Sequence, residues 1–171
     1  MDVNWGASYN LRLSAGVGFH DAELTENYCG EVDANGNPVT DCDVADLQAP
    51  DGTRLPVTAD YKGNLTARYS FDIADYEAYW QSSVVHEGRR TSDLRILERN
   101  ILGDLPAYTL VDFAIGVRKN NWSMDFYIKN LFDENAQYSR NVQCPETVCA
   151  AQVYSVAGQP RTFGIRFSQE F

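Results

Sequence analysis

Apolar and polar residues alternate with period two along much of this chain. Val111, Phe113, Ile115 and Val117 fall on one face of an extended segment, with Asp112, Ala114, Gly116 and Arg118 on the other. Trp122, Met124, Phe126 and Ile128 alternate in the same way with Ser123, Asp125, Tyr127 and Lys129. Phe163, Ile165, Phe167 and Phe171 alternate with Gly164, Arg166, Ser168 and Glu170. Such alternation predicts strands with one apolar and one polar face. Lys119-Asn120-Asn121 separates the first two runs, and its asparagines tolerate the positive φ of a tight hairpin turn.

The pattern continues upstream. Residues 10–24 align Leu11, Leu13, Ala15, Val17 and Phe19, and residues 60–74 align Leu65, Ala67, Tyr69, Phe71 and Ile73. Residues 77–91 predict a further strand. There Tyr79, Ser83 and Val85 compete with Trp80, Val84 and His86, and periodicity leaves its facing open. Residues 1–5 read as a partial strand. Short connections near residues 7, 75 and 120 alternate with long ones over 25–59, 92–106 and 133–160.

An apolar sheet face must be covered, and no amphipathic helix in the sequence is long enough to do it. The opposite face would carry Arg12, Arg68, Asp72, Asp112, Arg118, Asp125, Lys129, Arg166 and Glu170, more charge than a packed core holds. Lipid on the apolar side and a wet or plugged lumen on the other satisfy both faces. Alternating short and long connections are also what outer-membrane barrels show. The expected fold class is therefore all-β: an antiparallel up-and-down transmembrane β-barrel segment of about six full strands plus one partial strand, an open curved sheet if alone. Trp5, Tyr9, Tyr76, Tyr79, Trp80 and Trp122 lie beside the short turns and fit an interfacial aromatic girdle, or are ordinary strand aromatics.

Specific motifs add a family. Tyr108-Thr-Leu-Val-Asp112, then Asn130-Leu131-Phe132-Asp133, then Gly158-Gln-Pro160-Arg161-Thr162-Phe163, with a terminal Phe171, resemble the end of the TonB-dependent outer-membrane receptors. The resemblance is dense over Ala107–Phe171 and looser over Leu11–Arg90. It implies that residues 1–171 are the carboxy-terminal segment of a barrel of roughly 22 strands, with plug domain and signal peptide absent. It further implies the outer membrane of a Gram-negative bacterium, no enzymatic activity, and energised uptake of a scarce bulky solute such as a siderophore, vitamin or glycan. The implied partners are outer-membrane lipid, the TonB energising complex through the missing amino-terminal part, and the barrel-assembly machinery through the terminal strand.

Charge concentrates in one long connection. Residues 21–60 hold ten acids and a single base, Arg54, and so account for nine of the chain's net ten negative charges. They form either a cation-attracting surface or a solvated loop. Asp33-Ala-Asn35-Gly36-Asn37 lacks the later ligands of a calcium loop and reads better as a small hairpin turn. The four cysteines fall as Cys29 with Cys42 and Cys144 with Cys149, each pair within one long connection. Local pairing is the simplest of three connectivities, and a four-cysteine zinc site would lack the usual C-x₂-C spacing.

No catalytic constellation or cofactor motif stands out. His86-Glu87 lacks a second zinc-binding histidine, no nucleophile elbow occurs, and Gly16-Val-Gly18 lies inside a strand. An isoelectric point near 4.5 argues against nucleic acid. A small self-contained β-barrel binding protein or an outer-membrane hydrolase is the alternative reading.

Overall fold

The computed structural model describes residues 1–44, 46–142 and 152–170. Seven strands make one antiparallel sheet: β1 Asp2–Gly6, β2 Leu11–Phe19, β3 Tyr61–Ile73, β4 Tyr76–Glu87, β5 Tyr108–Lys119, β6 Trp122–Lys129 and β9 Thr162–Gln169, ordered neighbour to neighbour. Six are long and β1 is partial, as the alternation predicts. A separate hairpin, β7 Gln137–Val142 with β8 Val153–Ala157, and one short helix, α1 Ile96–Leu102, stand in the long connections. Periodicity missed both. QYSRNV of β7 has no apolar alternation, and seven residues are too few to display a helical stripe.

Turn chemistry sets the short connections. Ala74-Asp75 and Asn120-Asn121 close two-residue loops, with positive φ at Ala74 (54°) and Asn120 (52°). Matched strand twist requires that geometry in tight hairpins. The long connections all leave from the other end, where Phe19, Tyr61, Glu87, Tyr108, Lys129 and Thr162 mark a common rim. β2 stops at Phe19 rather than residue 24. Beyond it Glu23 pairs with Arg54, and the chain folds into the connection. The 13 residues of β3, at roughly 3.4 Å per residue and a tilt near 40°, rise about 30 Å, a hydrocarbon core's thickness.

The register assigns every strand a face. Val111, Phe113, Ile115, Val117, Trp122, Met124, Phe126, Ile128, Phe163, Ile165 and Phe167 share one. Phe171 lies outside the described residues. On β4, Tyr76, Ala78, Trp80, Val84 and His86 join this apolar face, while Glu77, Tyr79, Gln81, Ser83, Val85 and Glu87 join the polar one. Nothing in the described chain covers the apolar face: Ile165 is 73% exposed and Phe167 63%. Ala78 is buried within the sheet, and Ala49, Ala59, Leu102, Leu105 and Ala136 are buried in the connections beyond the rim.

Candidate functional site

The polar face lines a concave cavity of about 1150 Å³, bounded by Arg12, Arg68, Asp72, Glu77, Tyr79, Arg118, Ser123 and Asp125. Its side chains are held in cross-strand rows. Arg12, Arg68, Gln81, Ala114, Tyr127 and Gly164 make one row, and Ser70, Tyr79, Gly116, Asp125 and Arg166 the next. Gly116 opens a gap in the second row, and Tyr79 lies across it to donate a 2.7 Å hydrogen bond to Asp125 Oδ1. The Arg68 guanidinium sits 3.7 Å over the Tyr79 ring. Tyr127 lies over Gly164 in the same manner. Lys129 pairs with Asp112 at 3.0 Å, and the hydroxyls of Thr66 and Ser83 are 3.0 Å apart. Tyr79 therefore faces the lumen and does not belong to the girdle. Trp122 does fit it, packing on the apolar face against Tyr76 (5.9 Å) and Phe167 (6.4 Å).

Beyond the rim the connections are tied to one another. Cys29 and Cys42 are joined as a disulfide with Cα atoms 6.2 Å apart, and Cys144 and Cys149 lie outside the described residues. Between the bonded cysteines, Asp33 accepts from the backbone of Asn35 and Asn37, and Gly36 takes φ 85°. That is the small hairpin expected at Asn35-Gly36. Hydrogen bonds from Asn37, backbone first, hold the Asp33 carboxyl below its ordinary value. The first connection meets the second through Val57 N to Thr91 O (2.8 Å) and Ile96 N to Gln48 O (2.9 Å). The second meets the β7–β8 hairpin through two arginines. Arg90, 4% exposed, donates to the carbonyls of Gln137 (2.7 Å) and Tyr138 (3.4 Å), and Arg140 donates to Leu102 O (2.8 Å). Glu87, 3.8 Å from Arg90, also accepts the Tyr108 hydroxyl. Near α1, burial pushes the Asp93 carboxyl up, but the side-chain and backbone hydrogen bonds of Arg95 outweigh it and leave the group below its ordinary value.

Asn130, Leu131, Phe132 and Asp133 sit where β6 leaves the sheet. Asn130 is 4% exposed with φ 50°. Its side-chain amide donates to Glu134 O and Gln159 O, each at 2.9 Å, and its side-chain oxygen accepts from Glu134 N at 2.8 Å. One side chain thus holds both ends of the third long connection. Asp133 Oδ1 accepts from Arg161 N at 2.8 Å, and the Thr162 hydroxyl donates to Pro160 O at 2.9 Å. Phe132 and Phe163 are exposed.

Among the described residues no cluster of histidine, cysteine and acidic side chains has metal-binding geometry. The family model for the β-barrel of TonB dependent receptor-like proteins matches residues 1–131 of the 171. The chain belongs to that family. No curated protein and no solved structure matches it. In this family the barrel is that of an outer-membrane receptor or transporter, so its polar concave face is a lumen wall and its apolar face meets lipid. The match ends at Leu131.

Proposed function

We propose that this chain is one sector of the barrel of a receptor for TonB-energised uptake of a scarce, bulky solute, such as a siderophore, vitamin or glycan, across a Gram-negative outer membrane. The observation that carries the reading is the open sheet. β1 and β9 are its two edges, and among the described residues no ladder joins them. Unpaired backbone in hydrocarbon costs several kcal/mol per group, so both edges require further strands. Closure on seven strands alone would give a barrel narrower than the smallest eight-stranded ones, with no room for the charged lumen face. The tied connections beyond the rim supply a rigid mouth for solute capture. The Asn130 and Arg161 motif regions would fix the last long connection to it, and the final strand would present itself to the barrel-assembly machinery.

The test is uptake in cells that express the full receptor containing this chain, using radiolabelled ferric chelates, cobalamin and oligosaccharides as probes. Accumulation of one probe that stops when the energising partner is deleted supports the reading. Accumulation independent of that partner, or specific flux through the isolated chain in liposomes, would sink it.

A further inference from the structure

One row on the lipid-facing side of the sheet departs from the apolar pattern. Val17, Gly63, His86 and Thr109 stand side by side across β2, β3, β4 and β5, near the outer rim. Tyr61 lies on the same face of β3, in the next row outward. His86 is engaged on both sides. Its Nδ1 is 2.8 Å from the Thr109 hydroxyl, and its Nε2 is 3.4 Å from the Tyr61 hydroxyl. The Tyr61 ring stacks on the imidazole with centroids 5.4 Å apart. It also packs against Gly88, where an added Cβ would come within 3.1 Å of the ring.

The protons of this cluster do not balance. A neutral imidazole has one donor and one acceptor. If Thr109 donates to Nδ1, then Nε2–H donates to the Tyr61 oxygen, and the tyrosine proton is left over. In the other tautomer Tyr61 donates to Nε2, Nδ1–H donates to Thr109, and the threonine proton is left over. Either way one hydroxyl donor is unspent, and on this face water is not there to take it. Its level decides what can. From Gly63 to Ile73, β3 climbs roughly 26 Å at strand rise and barrel tilt. Ile73 lies opposite Tyr76, on which Trp122 packs. An outward apolar band between two interfaces is about 25 Å tall. His86 therefore stands where hydrocarbon gives way to headgroups.

A groove of about 430 Å³ reaches from His86 one row toward the midplane, lined by Val17, Gly63, Ala15, Leu65 and Val84. Its space is open at Gly63, where an added Cβ meets nothing closer than 3.4 Å. β3 and β4 are paired on both sides within this chain, so the strands that complete the barrel do not lie over Gly63 or His86. The groove is continuous with the face that meets lipid, and that face is its source of occupants.

We propose that this is a phospholipid site: one acyl chain lies in the groove, and a phosphate oxygen of the same lipid accepts the unspent proton of the Tyr61–His86–Thr109 cluster. A charged acceptor makes the stronger bond. The site rests on the facing of the sheet and not on which solute the receptor takes up.

The experiment is native mass spectrometry of the full receptor, stripped in detergent and titrated with dioleoyl phosphatidylglycerol. Retention of a single lipid beyond the weakly held background is expected. Gly63→Leu, which fills the groove, and His86→Leu, which removes the centre of the cluster, should each weaken retention about tenfold. Dioleoylglycerol, which has the chains but no phosphate, should be held about tenfold more weakly by the wild-type receptor. Ile115→Leu, on the same face but away from the groove, should change retention less than about twofold. Correct assembly is read from heat-modifiable migration, and Gly63→Leu decides the matter if His86→Leu does not assemble. Background retention alone by the wild-type receptor, equal retention by an assembled Gly63→Leu, or equal retention of dioleoylglycerol overturns the proposal. Uptake of solute by the wild-type receptor would be untouched by any of these results, so failure here is distinct from failure of the uptake reading.

Discussion

The hydroxyl of Tyr79 on β4 reaches over β5 to the carboxylate of Asp125 on β6, 2.7 Å away, because Gly116 between them has no side chain. A Cβ at Gly116 would overlap both the Asp125 oxygen and the Tyr79 ring edge. Gly116→Ala should therefore expel Tyr79 from its row and cost about 1–3 kcal/mol, the usual scale of overpacking. Tyr79→Leu alone should cost about 1 kcal/mol for the lost hydrogen bond. In the double variant the two losses should not add, since the second removes the ring with which the new methyl collides. Denaturant unfolding of the four proteins measures the coupling, and strict additivity would show that the gap does not house the ring.

Arg90 makes the second case. Its guanidinium is buried and holds two carbonyls of the β7–β8 hairpin. Arg90→Met keeps the stem but strands those acceptors and Glu87, at a cost of about 3–5 kcal/mol. The loss should be local. Amide hydrogen exchange should rise at Gln137–Val142 and Val153–Ala157, while Tyr61–Ile73 stays protected. Unchanged exchange in the hairpin would show that Arg140 alone suffices to dock it.

Asn130 should resist replacement for two separable reasons. Asn130→Ala loses three side-chain hydrogen bonds and places a methyl group at φ 50°, so about 2–3 kcal/mol is expected. Asn130→Gly loses the same bonds but relieves the backbone, and should cost about 1 kcal/mol less. Equal unfolding midpoints for the two variants would place all of the effect in the hydrogen bonds.

The Asp33 turn gives a pH dependence with a definite sign. Its folded carboxyl titrates below the ordinary value of 3.8. The turn's contribution is therefore complete above 3.8 and is lost as pH falls through the lower folded value. Exchange at Asn35 and Asn37 amides should be flat from neutral pH down to that window, after correction for intrinsic rates, and should rise only below it. In Asp33→Asn this acid step should vanish.

The face assignments were legible because lipid and lumen impose opposite chemistries on alternate residues, as in Met124–Asp125–Phe126–Tyr127. β4 was not legible, and its residues say why. A lumen wall accepts amphipathic Tyr79 and small apolar Val85, while the lipid face accepts Ser82 and His86, so hydropathy alone does not separate its two sides. Tyr79 looked like a girdle aromatic by position, but its partner Asp125 is 46 residues away and appears only once three strands are in register. The tying of the connections was invisible for the same reason. Arg90 grips main-chain carbonyls at Gln137 and Tyr138, and carbonyls carry no sequence signal. The Cys29–Cys42 bond was legible because both ends already lay in one closed connection.

The sharpest consequence of the facing concerns two adjacent residues on the edge strand β9. Ile165 lies opposite Phe126 on the apolar side, and Arg166 lies opposite Asp125 on the lumen side. Arginine on the lipid face near the bilayer midplane costs about 2–4 kcal/mol. Ile165→Arg should lose stability by that amount and assemble poorly. Arg166→Ile puts an apolar group on a wet wall and should cost less than about 1 kcal/mol. The comparison is made by folding the full receptor into lipid vesicles and following the heat-modifiable band across a urea series. Because the two substitutions exchange the same residue types at neighbouring positions, composition and strand propensity largely cancel, leaving the side of the sheet to decide the outcome. If Ile165→Arg assembled as well as Arg166→Ile, the apolar face of this sheet would not be the one that meets lipid.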